Sequence, residues 1–465
     1  MSKSLWNLRS QSRSIYRSEL ETLVHLAFPV VMAELGWMSM AVVDTAMVGR
    51  LNAVAIGAVG LGSILYYTIV LFGFGLLLSM DPLVARAFGA GDLEDCHHTL
   101  HQGIFLAFAL TVPLMALTYA LPALLFRWDV NASTAAACGP FIRVLSWSTL
   151  PLLLYACLRR YLQARKLVRP VMFALVSANL VNWAGNWMLI YGHLGFRAYG
   201  IAGSAWSTIL SRIYMAAFLA VAIVYHERSG PSGLFRLRPR LDLARLREML
   251  RIGFPAASQI LLEVGAFSAA TVIAGKLSPV ALAAHQIALN CASFTYMVPL
   301  GIGSATAVSV GHALGRNDQP GAIRIGWIGI GLGATCMSVG AILFLALPAQ
   351  IMRIYTTQLP VIRTGVSLLT IAAFFQLFDG VQTVTTGALR GIRDTASAMT
   401  LNFLGYWVIG LPLGWYLCFQ WRMGARGVWL GLCLALVLLA GALLLVWRSK
   451  TKGTLEAPEE NLEMI

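Results

Sequence analysis

Residues 254–318 read FPAASQILLEVGAFSAATVIAGKLSPVALAAHQIALNCASFTYMVPLGIGSATAVSVGHALGRND. Moved back by 226 positions, they lie without a gap on residues 28–92, FPVVMAELGWMSMAVVDTAMVGRLNAVAIGAVGLGSILYYTIVLFGFGLLLSMDPLVARAFGAGD. Phe254-Pro255 falls on Phe28-Pro29, Gly275-Lys276-Leu277 on Gly49-Arg50-Leu51, and Val280-Ala281 on Val54-Ala55. Gly301 falls on Gly75, and Ala313, Gly315 and Asp318 fall on Ala87, Gly89 and Asp92. Identity elsewhere is sparse. What argues for duplication is that helix starts and turns recur in step, as they do when one bundle is built twice.

Composition sets the environment of that bundle. Hydrophobic residues make up 58% and charged residues 12%, with a mean hydropathy of +0.73, whereas a soluble domain carries about 25% charged residues. The chain therefore reads as an all-α polytopic membrane protein. Apolar runs fall at about 24–49, 55–83, 99–125, 139–158, 170–192, 200–225, 252–275, 280–308, 323–348, 364–386, 396–420 and 424–447, each long enough to span. That predicts twelve transmembrane helices in two six-helix bundles, 24–225 and 252–447, joined by a basic linker at 226–251.

Residues 1–23 carry Lys3, Arg9, Arg13 and Arg17 with no apolar core before Leu23, so they read as a cytoplasmic lead-in and not as a cleaved signal peptide. The linker holds Arg228, Arg236, Arg238, Arg240, Arg245, Arg247 and Arg251 with Gly230, Pro231, Gly233 and Pro239. Residues 448–465 form a cytoplasmic tail, acidic and disordered from Glu456. With the N-terminus inside, 24 of the 34 Lys and Arg lie in inner segments and eight in outer loops, which orients both termini toward the cytoplasm of a plasma (inner) membrane. The net charge of +14 is topological on this reading and does not imply nucleic acid. Seven scattered cysteines without paired spacing read as free thiols in packed helices.

Two halves with an even number of helices are related by an axis along the membrane normal, which predicts a cleft at the repeat interface and alternating access by rocking. No Gly-x-x-x-x-Gly-Lys-Ser/Thr phosphate loop is present, so an ion gradient drives any transport, without a cofactor. An acid at mid-bilayer costs roughly 2.5–3.5 kcal/mol on insertion scales, so the acids within runs are the site candidates. They are Asp44 and Glu34 in the first run, Glu263 in the seventh and Asp379 in the tenth. Asp81, near the inner end of the second run, is expected to reach cytoplasmic water. Asn179, Asn182 and Asn186 fall at i, i+3 and i+7 of the fifth run and form a polar stripe predicted to line a wet cavity with Asp44. Glu263 and Asp379 are expected to meet in a separate second-half cluster.

Several segments carry a resemblance: Val43-Asp44-Thr45-Ala46-Met47-Val48-Gly49, Pro82 to Gly91, Val181-Asn182-Trp183-Ala184-Gly185-Asn186-Trp187, Ala283 to Asn290, and Phe378-Asp379-Gly380 leading to Gly387-Ala388-Leu389-Arg390-Gly391. In this order and spacing the chain resembles the multidrug and toxic compound extrusion (MATE) family, in its NorM-like branch, over nearly its whole length. The resemblance implies export of organic cations and amphipathic drugs against inward H+ or Na+. The chain is expected to work as a monomer in the lipid bilayer. It matches the family's first-helix acid to Asp44 and its second-half acids to Glu263 and Asp379, the latter pair also being where Na+ would bind. Some sodium-coupled relatives have a Tyr where this chain has Phe375.

Carboxylates suit such work because the ionised form attracts a cation and the protonated form releases it. Aromatic rings add cation–π contacts of about 0.5–2 kcal/mol. Tyr66, Tyr67, Phe294, Tyr296, Phe374, Phe375 and Phe378 are the candidate lining, and Gln286 is a further substrate-site candidate. Beside it, His285 reads as a helix-packing hydrogen-bond group, both being expected to be buried. Cys96-His97-His98 and His101 imitate a metal site but read as a solvated interfacial helix start. Two other functions remain open. A flippase of a lipid-linked precursor needs a strongly basic cavity, for which Arg143 and Arg212 are the candidates within helices; a membrane lipid enzyme needs a catalytic constellation that the sequence does not display.

Overall fold

The structure is a computed structural model in which residues 2–51, 53–125, 132–228, 234 and 239–452 are described. Gly230, Pro231, Gly233, Arg236 and Arg238 of the linker and the acidic tail from Glu456 lie outside the described residues. Backbone in a bilayer must satisfy its own hydrogen bonds, and the chain does so with helices alone; no strand occurs among the described residues. The first half contains α1 (Ser2–Val48), α2 (Ala53–Leu76), α3 (Met80–Gly89), α4 (Leu93–Leu125), α5 (Ala132–Ser146), α6 (Thr149–Ala164), α7 (Val168–Tyr191) and α8 (Ile201–Arg228). The second contains α9 (Leu243–Gly275), α10 (Pro279–Gly315), α11 (Gln319–Ala346), α12 (Pro348–Tyr355), α13 (Leu359–Gly391), α14 (Ala396–Asn402), α15 (Leu411–Phe419) and α16 (Ala425–Lys452). A short 3-10 turn, Leu77–Ser79, joins α2 to α3, and a π-helix, Phe403–Gly410, joins α14 to α15.

Among the described residues, ten continuous helical segments are long and apolar enough to cross a membrane, and α5 with α6, bent by 48° at their junction, supply an eleventh. The twelfth run is α7, whose three asparagines make it too polar to stand with the others. α1 begins at Ser2, so the lead-in is helical and continuous with the first span.

The repeat is legible in backbone detail. α2 starts at Ala53 and α10 at Pro279, α3 ends at Gly89 and α10 at Gly315, and α4 starts at Leu93 and α11 at Gln319, each pair 226 apart. The punctuation has a mechanism. Gly91 (φ +80°) and Asn317 (φ +59°) take the left-handed conformation that ends a helix, at equivalent positions. The next residues, Asp92 and Asp318, cap the following helix by accepting from Asp95 N (2.9 Å) and Gly321 N (2.8 Å). The copies differ at the 3-10 turn, where α10 runs on unbroken.

The chain clusters into two compact units, Met32–Ala257 and Met1–Val31 with Ser258–Ile465. The boundaries fall within α1 and α9 and not in the 226–251 connection, and they too are 226 apart. Each follows a proline, Pro29 or Pro255, by two residues. Close packing explains the assignment. A Cβ on Gly75 would lie 2.5 Å from Ala257 Cα, and one on Gly301 would lie 2.9 Å from Val31 Cα, so the same glycine in each repeat admits the backbone of the other repeat's first helix. Polar contacts agree. Arg324 Nη2 donates to Glu19 Oε1 (2.8 Å) in one unit, and in the other Gln102 Nε2 donates to the Arg240 carbonyl (2.7 Å) while Arg245 pairs with Asp95.

The unit of residues 32–257 holds a charged core that run-counting misses. Arg159 and Arg160, assigned by apolar run length to an inner break, lie inside α6 and are buried, Arg159 against Glu34 and Arg160 against Asp81 (3.3 Å). Asp81 is fully buried, which corrects the expectation that it reaches cytoplasmic water. Nor is His97 solvated: Nδ1 meets Tyr161 OH at 2.8 Å and Nε2 lies 3.6 Å from Glu227, which Arg165 also binds. Removing one member of a buried pair leaves an uncompensated charge. Arg159→Met is therefore expected to destabilise by about 3–5 kcal/mol, and adding Glu34→Gln to recover much of that. Thermal unfolding of both variants in detergent checks this; equal losses would contradict it.

Candidate functional site

In the unit of residues 32–257, α7 is pinned along α1 at three levels. Asn179 Nδ2 donates to the Gly36 carbonyl (2.9 Å), Asn186 Nδ2 to Asp44 Oδ1 (2.6 Å) and Tyr191 OH to the Met47 carbonyl (2.6 Å). Asn182 is fully buried and its Oδ1 accepts from Asn186 Nδ2 at 3.2 Å. α8 closes the site. A Cβ on Gly185 would lie 2.6 Å from Ser207 Oγ, and Ser207 Oγ donates to the Asn182 carbonyl (2.8 Å). This close approach brings Thr208 to Asp44, with Oγ1 donating to Oδ2 at 3.3 Å. Asp44 thus accepts from two helices, while Asn179 of the same stripe serves the backbone one level away.

One turn along α8 from Thr208 is Arg212, 1% exposed. Its Nη1 donates to Tyr66 OH (2.8 Å) and to Ser148 Oγ, and its Nη2 donates to Tyr67 OH (2.8 Å). The guanidinium lies 5.0 Å from the Tyr66 ring centre and 5.4 Å from that of Tyr67. The two rings expected to hold a substrate cation therefore hold the protein's own. A buried guanidinium without a bonded carboxylate needs hydroxyl acceptors and π faces, and these tyrosines supply both. Arg143, by contrast, is exposed and lies over Tyr119 at 5.6 Å.

The other unit brings together Glu263 of α9 and Asp379 of α13, which are 8% and 6% exposed and close enough for their charges to interact. Glu263 lies against the Tyr296 hydroxyl and the Gln382 side chain, and Tyr296 against Thr383. Beside them, Phe375 is packed on Trp429 with ring centres 5.5 Å apart and is 2% exposed, so it belongs to the packed interior of its unit. Phe294 and Phe374 are exposed. Gln286, expected to be buried with His285, is exposed on α10. His285 is a packing residue: Trp429 Nε1 donates to its Nδ1 (3.0 Å), so Nε2 carries the proton and donates to Thr271 Oγ1 (2.9 Å). All seven cysteines are free.

Sequence reasoning missed Thr208 and Tyr406. Thr208 stands at i−4 from Arg212, a spacing that flags a shared helix face once Arg212 is noticed. Tyr406 sits in the π-helix, and nothing in the residue pattern announces that register.

The MatE sequence family matches residues 29–188 and 255–416, two copies whose starts are the equivalent prolines Pro29 and Pro255. The chain is 34% identical over 439 residues to a probable multidrug resistance protein NorM of Brucella suis, covering 92% of this chain and 93% of that protein. To the multidrug resistance protein NorM of Vibrio cholerae it is 32% identical over 426 residues, covering 90% and 93%. Its fold resembles that of a MATE crystallised in complex with MaL6, with a TM-score of 0.87 at 19% identity over 94% of this chain and 98% of that one. The duplicated match and the full-length likeness establish that the chain belongs to the MatE family, in its NorM-like branch, and is a membrane transporter and not an enzyme.

Proposed function

We propose that the chain is a multidrug exporter that exchanges organic cations or amphipathic drugs for inward H+ or Na+. The observation that carries this reading is an acid site in each unit: the half-buried Asp44 with Asn186 and Thr208, and the buried Glu263 with Asp379. Isolated acids buried among apolar helices are costly and mark ion or substrate paths. The names of the NorM relatives support the substrate class. The parallel repeat supports exchange by rocking of one half against the other, and one chain with both halves supports action as a monomer. No cofactor enters this reading.

The flippase reading requires a free basic cavity. Arg212 spends its donors on Tyr66, Tyr67 and Ser148, which disfavours it. Purified protein in vesicles, loaded with a fluorescent cation and given Na+ and H+ gradients separately, tests the proposal. Gradient-driven movement of the cation is expected, and its absence under both gradients would refute the reading.

We read the membrane as the plasma (inner) membrane, with both termini and the 226–251 connection cytoplasmic, from the Lys and Arg bias. In a cysteine-free background, Arg240→Cys and Arg197→Cys are expected to label from opposite sides, since both positions are exposed. Labelling of both from outside would overturn this orientation.

A further inference from the structure

The π-helix Phe403–Gly410 is docked on α9 beside Glu263. Trp407 Nε1 donates to the Leu262 carbonyl (2.9 Å), the residue next to Glu263, and a Cβ on Gly265 would lie 3.1 Å from the Trp407 ring. The Tyr406 ring packs on Phe267, one turn along α9 from Glu263, with centres 5.9 Å apart. The i→i+5 pattern, with Leu411 N donating to the Tyr406 carbonyl, turns successive side chains differently from an α-helix and aims both rings at α9.

Tyr406 is fully buried, and its hydroxyl has no hydrogen-bond partner among the described residues. That hydroxyl lies within electrostatic reach of Glu263, Asp379 and Tyr296. Asn402, four residues earlier at the end of α14 and also fully buried, has an unpartnered Oδ1. Buried polar atoms normally have partners, and leaving one without costs free energy. An orphaned hydroxyl on a helix docked at an acid pair is accounted for by an occupant that the pair itself attracts.

We propose that the Tyr406 hydroxyl is a direct contact of the coupling cation held by Glu263 and Asp379. This rests on the reading of those acids as the ion site and extends it to a neutral residue on a third helix. When the cation is present, the phenol oxygen faces it. That contact ties ion occupancy to the π-helix, and through Trp407 to the backbone of α9 at Leu262.

Tyr406→Phe tests this cleanly, because it keeps the ring on Phe267 and removes an atom with no partner. A purely structural tyrosine predicts unchanged or slightly improved stability and unchanged ion dependence. The proposal predicts roughly a tenfold rise in the Na+ or H+ concentration for half-maximal exchange, the factor expected when a contact to a charged group is lost. Exchange in vesicles is measured under Na+ and H+ gradients separately, with the maximum rate expected to stay within about twofold and dye binding without a gradient unchanged. Half-maximal ion concentrations equal to those of the unmodified protein would overturn the assignment of Tyr406. Should Glu263→Gln and Asp379→Asn both retain gradient-driven exchange, the ion-site reading fails first and takes the proposal with it.

Discussion

Asp44→Asn is expected to abolish ion-driven export of a cationic dye while leaving a folded, inserted protein. The substitution is nearly isosteric, and the surroundings can accommodate it. Asn186 Nδ2 still finds an oxygen at position 44, and the new amide can donate to the Thr208 hydroxyl or to Asn182 Oδ1. What disappears is the charge. Asp44 is the acid whose field Arg212 shares. Without it the polar cluster of α1, α7 and α8 carries a net positive charge that repels a cationic substrate. Hydrogen bonds and contacts to a charged group are worth about 1.5–3 kcal/mol, so cation binding at this cluster should weaken by roughly ten- to a hundredfold, taking ion-driven export to background. Dye efflux and drug resistance in cells expressing equal amounts of each protein provide the measurement. Unimpaired efflux would make Asp44 a structural residue.

Glu263→Gln and Asp379→Asn should each reduce gradient-driven exchange to near background, and the double variant should be no worse than either. Two carboxylates that interact this closely do not titrate or bind independently, because one cation or one proton serves both. Removing either leaves half a site, and removing the second takes away nothing that still works. Additive losses in ion affinity would show that the acids act separately. Both positions are buried, so stability must be followed in parallel. The amides can keep the contacts of Glu263 with Tyr296 and Gln382, and unfolding temperatures should move far less than exchange rates.

The architecture was unusually open to reading from residues, because its punctuation is chemical. A glycine or asparagine that must turn left-handed, followed by an aspartate that must cap, recurs at Gly91-Asp92 and Asn317-Asp318, and no packing is needed to recognise it. The spacing of Asn182 and Asn186 likewise displayed a helix face. Other features depend on partners far away in sequence. Run length stops at the first arginine, so Arg159 looked like a loop residue, although Glu34 allows it to remain inside α6. Tyr66 and Phe375 are aromatic in the right helices, yet Arg212 and Trp429 claim their faces. The π-register around Tyr406 arises from docking against α9, and residue spacing in an apolar segment carries no trace of it.

The exchange of the first 31 residues for residues 243–257 bears on synthesis and ancestry. A nascent chain that has emerged as far as the connection still lacks the stretch from Leu243 to Ala257 that completes the unit begun at Met32. The ribosome must therefore deliver part of the second repeat before the first can finish folding. Co-expressed fragments divided in the connection should each be unstable alone and recover only together. The glycine contacts at 75 and 301 are the two halves of one reciprocal handshake. A single-copy ancestor with the same contact would have completed itself only by trading its leading segment with a second copy, as swapped dimers do.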